Sequence, residues 1–523
     1  MFMQQPESDR LVQDATVALA NGHTAEAARL LAQAIRLDPR HPMALTKQAE
    51  LAVHQKDHKA ALALIDAAFA VEANFAPAWD LRAAACWLAG QQTEAVQAAR
   101  RAVDIVPPNP GFRLRLARFA TWTGRGSETR EALIPLFAAE QYDKPHYAAA
   151  VSMLGELAIA EGRFDEADAY LDRALDLHPS LNPTRMQRGM NRLRLGEFRT
   201  GWQDFAAREA IPELYPNGRP VLADQAWQGQ ALVGKTLVVH DDQGNGDAIQ
   251  FFRYLPLLRE RGAAHITWRT FGPLARLLAD AAPYATVVTA LPGDARFDFQ
   301  CNSPSLPRWF HTELDSVPTK VPYLRPPSRT ISAMKRPGER SNGERSNGER
   351  SNGGRANGGQ LKVGLVWSGD PRHTRDHLRS IPAAVFLGLT DIPGISFHSL
   401  QHEVRAADLP ALEARPAIGR EVEKAADFAD TAALIARLDL VITVDTAIAH
   451  LAGALGKPVW VLVHVAPDWR WMADRADSPW YPTVRLFRVT PPEWLGPAKA
   501  VDGAGWGPVL GRVSTALRAL AAS

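Results

Sequence analysis

Cysteine is nearly absent: only Cys86 and Cys301 occur in 523 residues. They are far apart, and neither lies in a CxxC or Cys/His spacing, which argues against a disulfide framework and a zinc site. A reducing compartment is the default for such a chain. No apolar run reaches the roughly 18 residues of a membrane span. The N-terminal MFMQQPESDRLVQD is polar and acidic where a secretory leader needs a basic start and an apolar core. A cytoplasmic location is the expectation. An excess of one charge is also missing, with 59 Lys+Arg against 57 Asp+Glu. Bulk electrostatic attraction to nucleic acid or an anionic membrane is therefore not expected, and anion binding has to be local.

What the chain does have is enough apolar residues, 46%, for several cores and about three domains. The first two hundred residues are self-similar. Gly22, Lys56, Gly90 and Gly124 lie 34 apart, as do Ala27, Ala61 and Ala95, then Ala34, Ala68 and Ala102, then Pro39, Ala73 and Pro107. Small residues recur where two antiparallel helices must approach closely, and proline follows where a helix has to stop. After a few inserted residues, Gly155, Gly162, Ala167, Ala174 and Pro179 restore the pattern, and Gly196 marks a divergent last unit ending near Trp202. This is the tetratricopeptide period. Such stacks usually present a concave face to a peptide or protein, so a bound partner or acceptor is expected here.

From about Trp227 the period gives way to alternation. KTLVVHDD, HITWRT, TVVTAL and FDFQ read as strands, AIQFFRYLPLLRERG and LARLLADAA as helices. A polar five-residue repeat, Gly338–Gly359, predicts a flexible linker. Beyond it LKVGLVWSG, ISFHSLQ, DLVITVD and PVWVLV are further strands, interleaved with helical AAVFLGLTD, TAALIARL and TAIAHLAGALG. The reading is an all-α repeat solenoid over 1–215, an α/β lobe over 216–330, a linker over 331–360 and a second α/β lobe over 361–523. Ligands of such sheets lie beyond the carboxyl ends of the strands.

Two junctions stand at such ends. In VITVDTAIAH, Asp445 closes a strand and Thr446 is the expected N-cap, so that the N–H groups of Thr446, Ala447 and Ile448 offer an anion site with His450 close by. The alternative is a plain helix cap beside a packed histidine. In QGNGD, Gly244 and Gly246 shape a turn open to a ligand, and Asp247 is either a functional carboxylate or an N-cap. Gln401 ends a strand and can reach a base or ribose, Asp427 precedes a helical run, and Trp480 and Tyr481 are expected to pack the last lobe.

The segment DTAIAHLAGALGKPV resembles the nucleotide-sugar signature of the lipopolysaccharide heptosyltransferases, glycosyltransferase family 9, with Ala447 where glycine is typical. QGNGD resembles that family's acceptor-lobe turn, which implies a catalytic base role for Asp247, with His240 and Asp242 next in line. WSGDPRHTRDHLRSIP resembles the loop after the first donor-lobe strand, with Arg379 where a phosphate-binding lysine is common; Arg372, His373, Arg375 and His377 stay unassigned. DWRWMADRADSPWYPTVRLFR and CNSPSLPRWF complete a pattern associated with tetratricopeptide proteins that carry such a domain. The resemblance implies a GT-B fold of two Rossmann-like lobes and inverting transfer from a nucleotide sugar to a glycan, lipid or protein acceptor. No Asp-x-Asp pair occurs after Trp227, so neither a metal nor a cofactor is expected. A protein O-linked N-acetylglucosamine transferase type and an inactive scaffold are the alternatives.

Overall fold

The protein is described by a computed structural model covering residues 6–138, 144–211, 214–215, 225–328, 360–373, 375–491 and 504–523. The Gly338–Gly359 repeat, expected to be a linker, lies outside the described residues. The chain forms two compact units, Met1–Ser180 and Leu181–Ser523.

In the first unit ten helices follow one another in antiparallel pairs. They are α1 Glu7–Ala20 and α2 Thr24–Leu37, α3 Pro42–His54 and α4 His58–Val71, α5 Ala76–Leu88 and α6 Gln92–Ile105, α7 Pro110–Trp122 and α8 Gly126–Ala138, α9 Lys144–Ala160 and α10 Phe164–Leu177. The 34-residue spacing has a direct physical cause. Gly22, Lys56, Gly90 and Gly124 all hold φ between 61° and 77°, the left-handed turn that lets one helix of a pair fold back on the other. Lys56 is the one of these four positions where a side chain bears the strain of that conformation. The periodic alanines Ala27, Ala61, Ala95, Ala34, Ala68 and Ala102 are wholly buried, as close helix packing requires.

The second unit begins with one more helix pair, α11 Asn182–Leu195 and α12 Phe198–Phe205, joined at Gly196. Repeat-like in sequence, this pair packs with the α/β region that follows. Trp202 of α12 meets Trp469 edge-on at 5.1 Å and Trp480 at 6.3 Å between ring centroids.

The first α/β lobe holds β1 Thr236–His240, β2 His265–Arg269, β3 Thr286–Val288 and β4 Phe299–Asn302 in the parallel order β3-β2-β1-β4, with Val238 opposite Thr267 and Gln300. The helix expected over AIQFFRYLPLLRERG is divided into α13 Asn245–Phe251, a 3₁₀ turn Phe252–Tyr254 and α14 Leu255–Glu260. Pro256 explains the break, since it has no N–H and its ring collides with the carbonyl four residues earlier. The second lobe holds β5 Leu361–Val366, β6 Ile395–Ser399, β7 Leu440–Val444, β8 Val459–Val463 and β9 Val484–Arg488 in the parallel order β6-β5-β7-β8-β9. Every residue of β7 and β8 is buried, as near-continuous apolar runs covered on both faces should be. Among the described residues no helix is long and apolar enough to cross a membrane.

Candidate functional site

The two junctions singled out in the sequence meet. The QGNGD turn follows β1 and opens α13, and the DT turn follows β7 and opens the helix Ala447–Ala454. Gly246 lies against that second helix. A β-carbon on Gly246 would stand 2.9 Å from His450 Cδ2 and 3.6 Å from Ala447 Cα, so glycine is what allows the approach.

Thr446 is the N-cap, with extended backbone at φ −142° and ψ 170°, and its side chain caps nothing. Among the described residues the N–H groups of Thr446, Ala447 and Ile448 make no hydrogen bond, the ordinary condition of a helix start. Ala447 is helical and does not belong to the residues with positive φ, so its departure from glycine puts no strain on the turn. Arg379 reaches the same end of the sheet, where Nη1 donates to the Asp445 carbonyl at 3.0 Å and Nε to the Asp376 carboxylate at 3.4 Å. Its guanidinium lies flat against Gly369, where a β-carbon would come within 2.6 Å. Asp445 is partly buried, and burial first, then the neighbouring Asp468, raises its pKa against the opposing pull of Arg379.

His450 is a packed, neutral histidine. Its Nδ1 is 3.0 Å from the Tyr481 hydroxyl and its ring stacks on Trp471 at 5.3 Å. Burial, with Arg470 nearby, lowers its pKa to about 3. Trp480 and Tyr481 are fully buried, as expected.

Asp247 has both carboxylate oxygens engaged. Oδ2 accepts from the Gly244 N–H at 3.0 Å, satisfying the backbone donor at the start of α13, and Oδ1 accepts from Arg470 Nη2. Arg470 also donates to Asp468 through Nη1 at 2.8 Å and to Gln250 through Nε. Burial works against the charge of Arg470, but Asp247 and Asp468 outweigh it and raise its pKa. Asp468 is in turn held below the usual carboxylate range, burial being outweighed by Arg470.

Gln401, expected at a base or ribose, makes four side-chain hydrogen bonds inside the protein. Oε1 accepts from the N–H groups of Trp367 and Ser368 at 3.3 and 3.1 Å, and Nε2 donates to the carbonyls of Ser368 and Glu403 at 3.1 and 3.0 Å. It braces the loop after β5. Asp427 caps the helix Phe428–Ala436 and pairs with Arg276 at 2.6 Å, tying the second lobe to the first. Arg372 pairs with Asp370 on the surface. His240 sits 3.1 Å from Gln300 Oε1 with its pKa lowered by burial to about 4, and Asp242 accepts from the Tyr215 hydroxyl at 3.1 Å.

Sequence reasoning missed Gly369, Asp468 and Arg470 as site residues. Their segments were noticed, but a loop has no period that marks which of its side chains point inward. The one available signal was the alternation of charged and aromatic residues in DWRW, a combination that favours a desolvated cation over rings; Arg470 does lie 4.2 Å from the Trp469 ring centroid.

Two family models match parts of the chain. A tetratricopeptide repeat family matches residues 13–77 and 124–182, and glycosyltransferase family 9 (heptosyltransferase) matches 413–469, the stretch that contains Asp445, His450 and Asp468. Protein FlbA of Caulobacter vibrioides is 28% identical over 361 residues, covering 63% of this chain and 54% of FlbA, so the chain spans about half the length of that relative. Among solved structures, a thermophilic TPR protein of Thermus thermophilus is 19% identical with a TM-score of 0.32, over 36% of this chain and 99% of its own. PilW, a type IV pilus biogenesis factor, is 17% identical with a TM-score of 0.34, over 42% of this chain and 97% of its own. The chain carries tetratricopeptide repeats, and its C-terminal α/β region resembles the glycosyltransferase family 9, heptosyltransferase, type.

Proposed function

We propose that the α/β region transfers a sugar from a nucleotide diphosphate sugar to an acceptor hydroxyl, as a GT-B enzyme with residues 216–330 as acceptor lobe and 361–523 as donor lobe. The family 9 match supports glycosyltransferase activity in general. The observation that carries the finer reading is the meeting of three groups: the N–H groups at the start of the Ala447–Ala454 helix, unpartnered among the described residues, the Arg379 guanidinium beside them, and Asp247 from the other lobe.

In this reading the donor diphosphate occupies the helix N-terminus, where backbone dipoles and Arg379 stabilise the charge that develops on the leaving group. Arg379 suits a diphosphate because its planar fork can bind two oxygens at once. Fixed dipoles and cations take the part a metal would play. Asp247 acts as base toward the acceptor hydroxyl, giving direct displacement with inversion. It must first exchange one of its present partners, and Arg470 is the one that can be released, because Asp468 remains to hold that charge. The repeats bind the acceptor or a protein partner.

The test is calorimetric titration of the full chain with UDP, GDP and ADP, followed by incubation with UDP-glucose, GDP-mannose and ADP-glucose. Binding of one nucleotide and release of its sugar or transfer to an added acceptor is the expected result. Failure of all three to bind removes the reading.

A further inference from the structure

One residue of α11 brackets both ends of the loop that carries Asp468 and Arg470. Arg194 Nε donates to the Pro467 carbonyl at 3.0 Å, and the Arg194 carbonyl accepts from the Ala473 N–H at 3.1 Å. Arg194 is buried, and its Nη1 is braced by Asn191 Oδ1 at 3.1 Å. Burying a guanidinium is costly unless it is paired and hydrogen-bonded, and this one spends a donor on the loop.

The loop itself is held in a conformation it would not choose alone. Met472 has φ +56°, a left-handed backbone unusual for a residue with a long side chain. Gly196, two residues beyond Arg194, fits close to it; a β-carbon there would be 3.2 Å from Met472 Cε. On the opposite side Arg488 donates to the carbonyls of Met472, at 2.8 Å, and Trp471. The loop is therefore clamped between the end of a repeat helix and the last strand, and its two charged residues point at Asp247 and at each other.

We propose that Arg194 is a positioning residue for the transferase site: the last helix pair, repeat-like in sequence, uses it to hold the 467–473 loop so that Asp468 stays beside Arg470 and can keep its charge when Asp247 lets go. Its effect on rate rests on the sugar-transfer reading; its effect on the loop does not.

Hydrogen–deuterium exchange on the full-length Arg194→Met and Arg194→Lys chains tests this, alongside urea unfolding and turnover of UDP-glucose, GDP-mannose and ADP-glucose. In Arg194→Met the peptide over 467–473 should exchange at least tenfold faster while the strands β5, β7 and β8 keep parental protection. The turnover number should fall at least tenfold with the donor KM within about threefold. Arg194→Lys, which retains the charge and a donor, should recover most of both. Parental exchange in 467–473 in a folded Met variant overturns the proposal, and so does faster exchange spread evenly over 181–523. Should the Met variant not fold, Arg194→Gln is read by the same criteria. If the parental chain turns over none of the three sugars, the transfer reading fails, and the exchange comparison still decides whether Arg194 positions the loop.

Discussion

Gly246 and His450 touch across the two lobes, at a separation that leaves no room for a β-carbon. The histidine cannot yield, because Tyr481 and Trp471 hold its ring on two other sides. Gly246→Ala is therefore expected to cost about 1–3 kcal/mol by overpacking, although the backbone there is open to alanine. Urea unfolding followed by tryptophan fluorescence checks it; a loss under about 0.5 kcal/mol, the ordinary range for a surface substitution, contradicts the contact.

The proposed anion site admits a clean removal of one donor. Ala447 is the first residue of its helix and Thr446 before it is extended, the two conditions that proline at the first helical position requires. Ala447→Pro should leave the melting temperature within a few degrees of the parent. It should weaken nucleoside diphosphate binding about 10- to 100-fold, as expected for a lost hydrogen bond to a charged group of about 1.5–3 kcal/mol. Calorimetry with the nucleotide that binds the parent decides, and unchanged affinity means that the phosphates lie elsewhere.

Asp247→Asn keeps the shape of the capping residue and loses the ability to take a proton. Turnover is expected to fall by roughly 10² to 10⁴ while donor affinity is retained. Transfer at the parental rate would leave Asp247 with only its cap and its pairing to Arg470.

Acid should destabilise the second unit through its buried histidines. Burial lowers the pKa of His450 and of His464 to about 3 from 6.5, so between those values the unfolded chain binds protons that the native state excludes. Stability thus rises with pH through this window and is lost as pH falls toward 3. His450→Gln should flatten the dependence by up to about 1.4 kcal/mol per pH unit, the slope of one proton. Urea midpoints from pH 7 to pH 5 measure it, and an unchanged slope would mean that His450 takes up a proton in the native state.

Lys56 occupies a left-handed position at φ +61° that Gly22, Gly90 and Gly124 occupy in the neighbouring repeats. Lys56→Gly should stabilise the first unit by about 1 kcal/mol, by relief of that strain net of glycine's greater freedom when unfolded. Thermal unfolding of the full chain reads this as a rise in the transition that reports the first unit, and an unchanged midpoint contradicts it.

Much of this architecture was legible in the residues alone, wherever structure is set by neighbours in sequence. The 34-residue recurrence of a left-handed turn and of buried alanines specifies helix pairs locally, and the short β-branched apolar runs of β7 and β8 suit strands covered on both faces. The Gly-rich turn and the Asp-Thr turn were visible for the same reason, since each lies at the junction of two recognisable elements. What tertiary structure decided is which groups face one another. Asp247 and Arg470 are 223 residues apart, and Arg194 and Pro467 are 273 apart. No periodicity links such pairs, because a loop after a strand takes its shape from what packs on it. The same cause turned Gln401 inward to brace a loop and gave the last repeat-like helix pair to the α/β unit, where Trp202 finds Trp469 and Trp480. Local pattern determines elements; the partners of buried charges are determined only when the chain has closed around them, since their burial is tolerable only once paired.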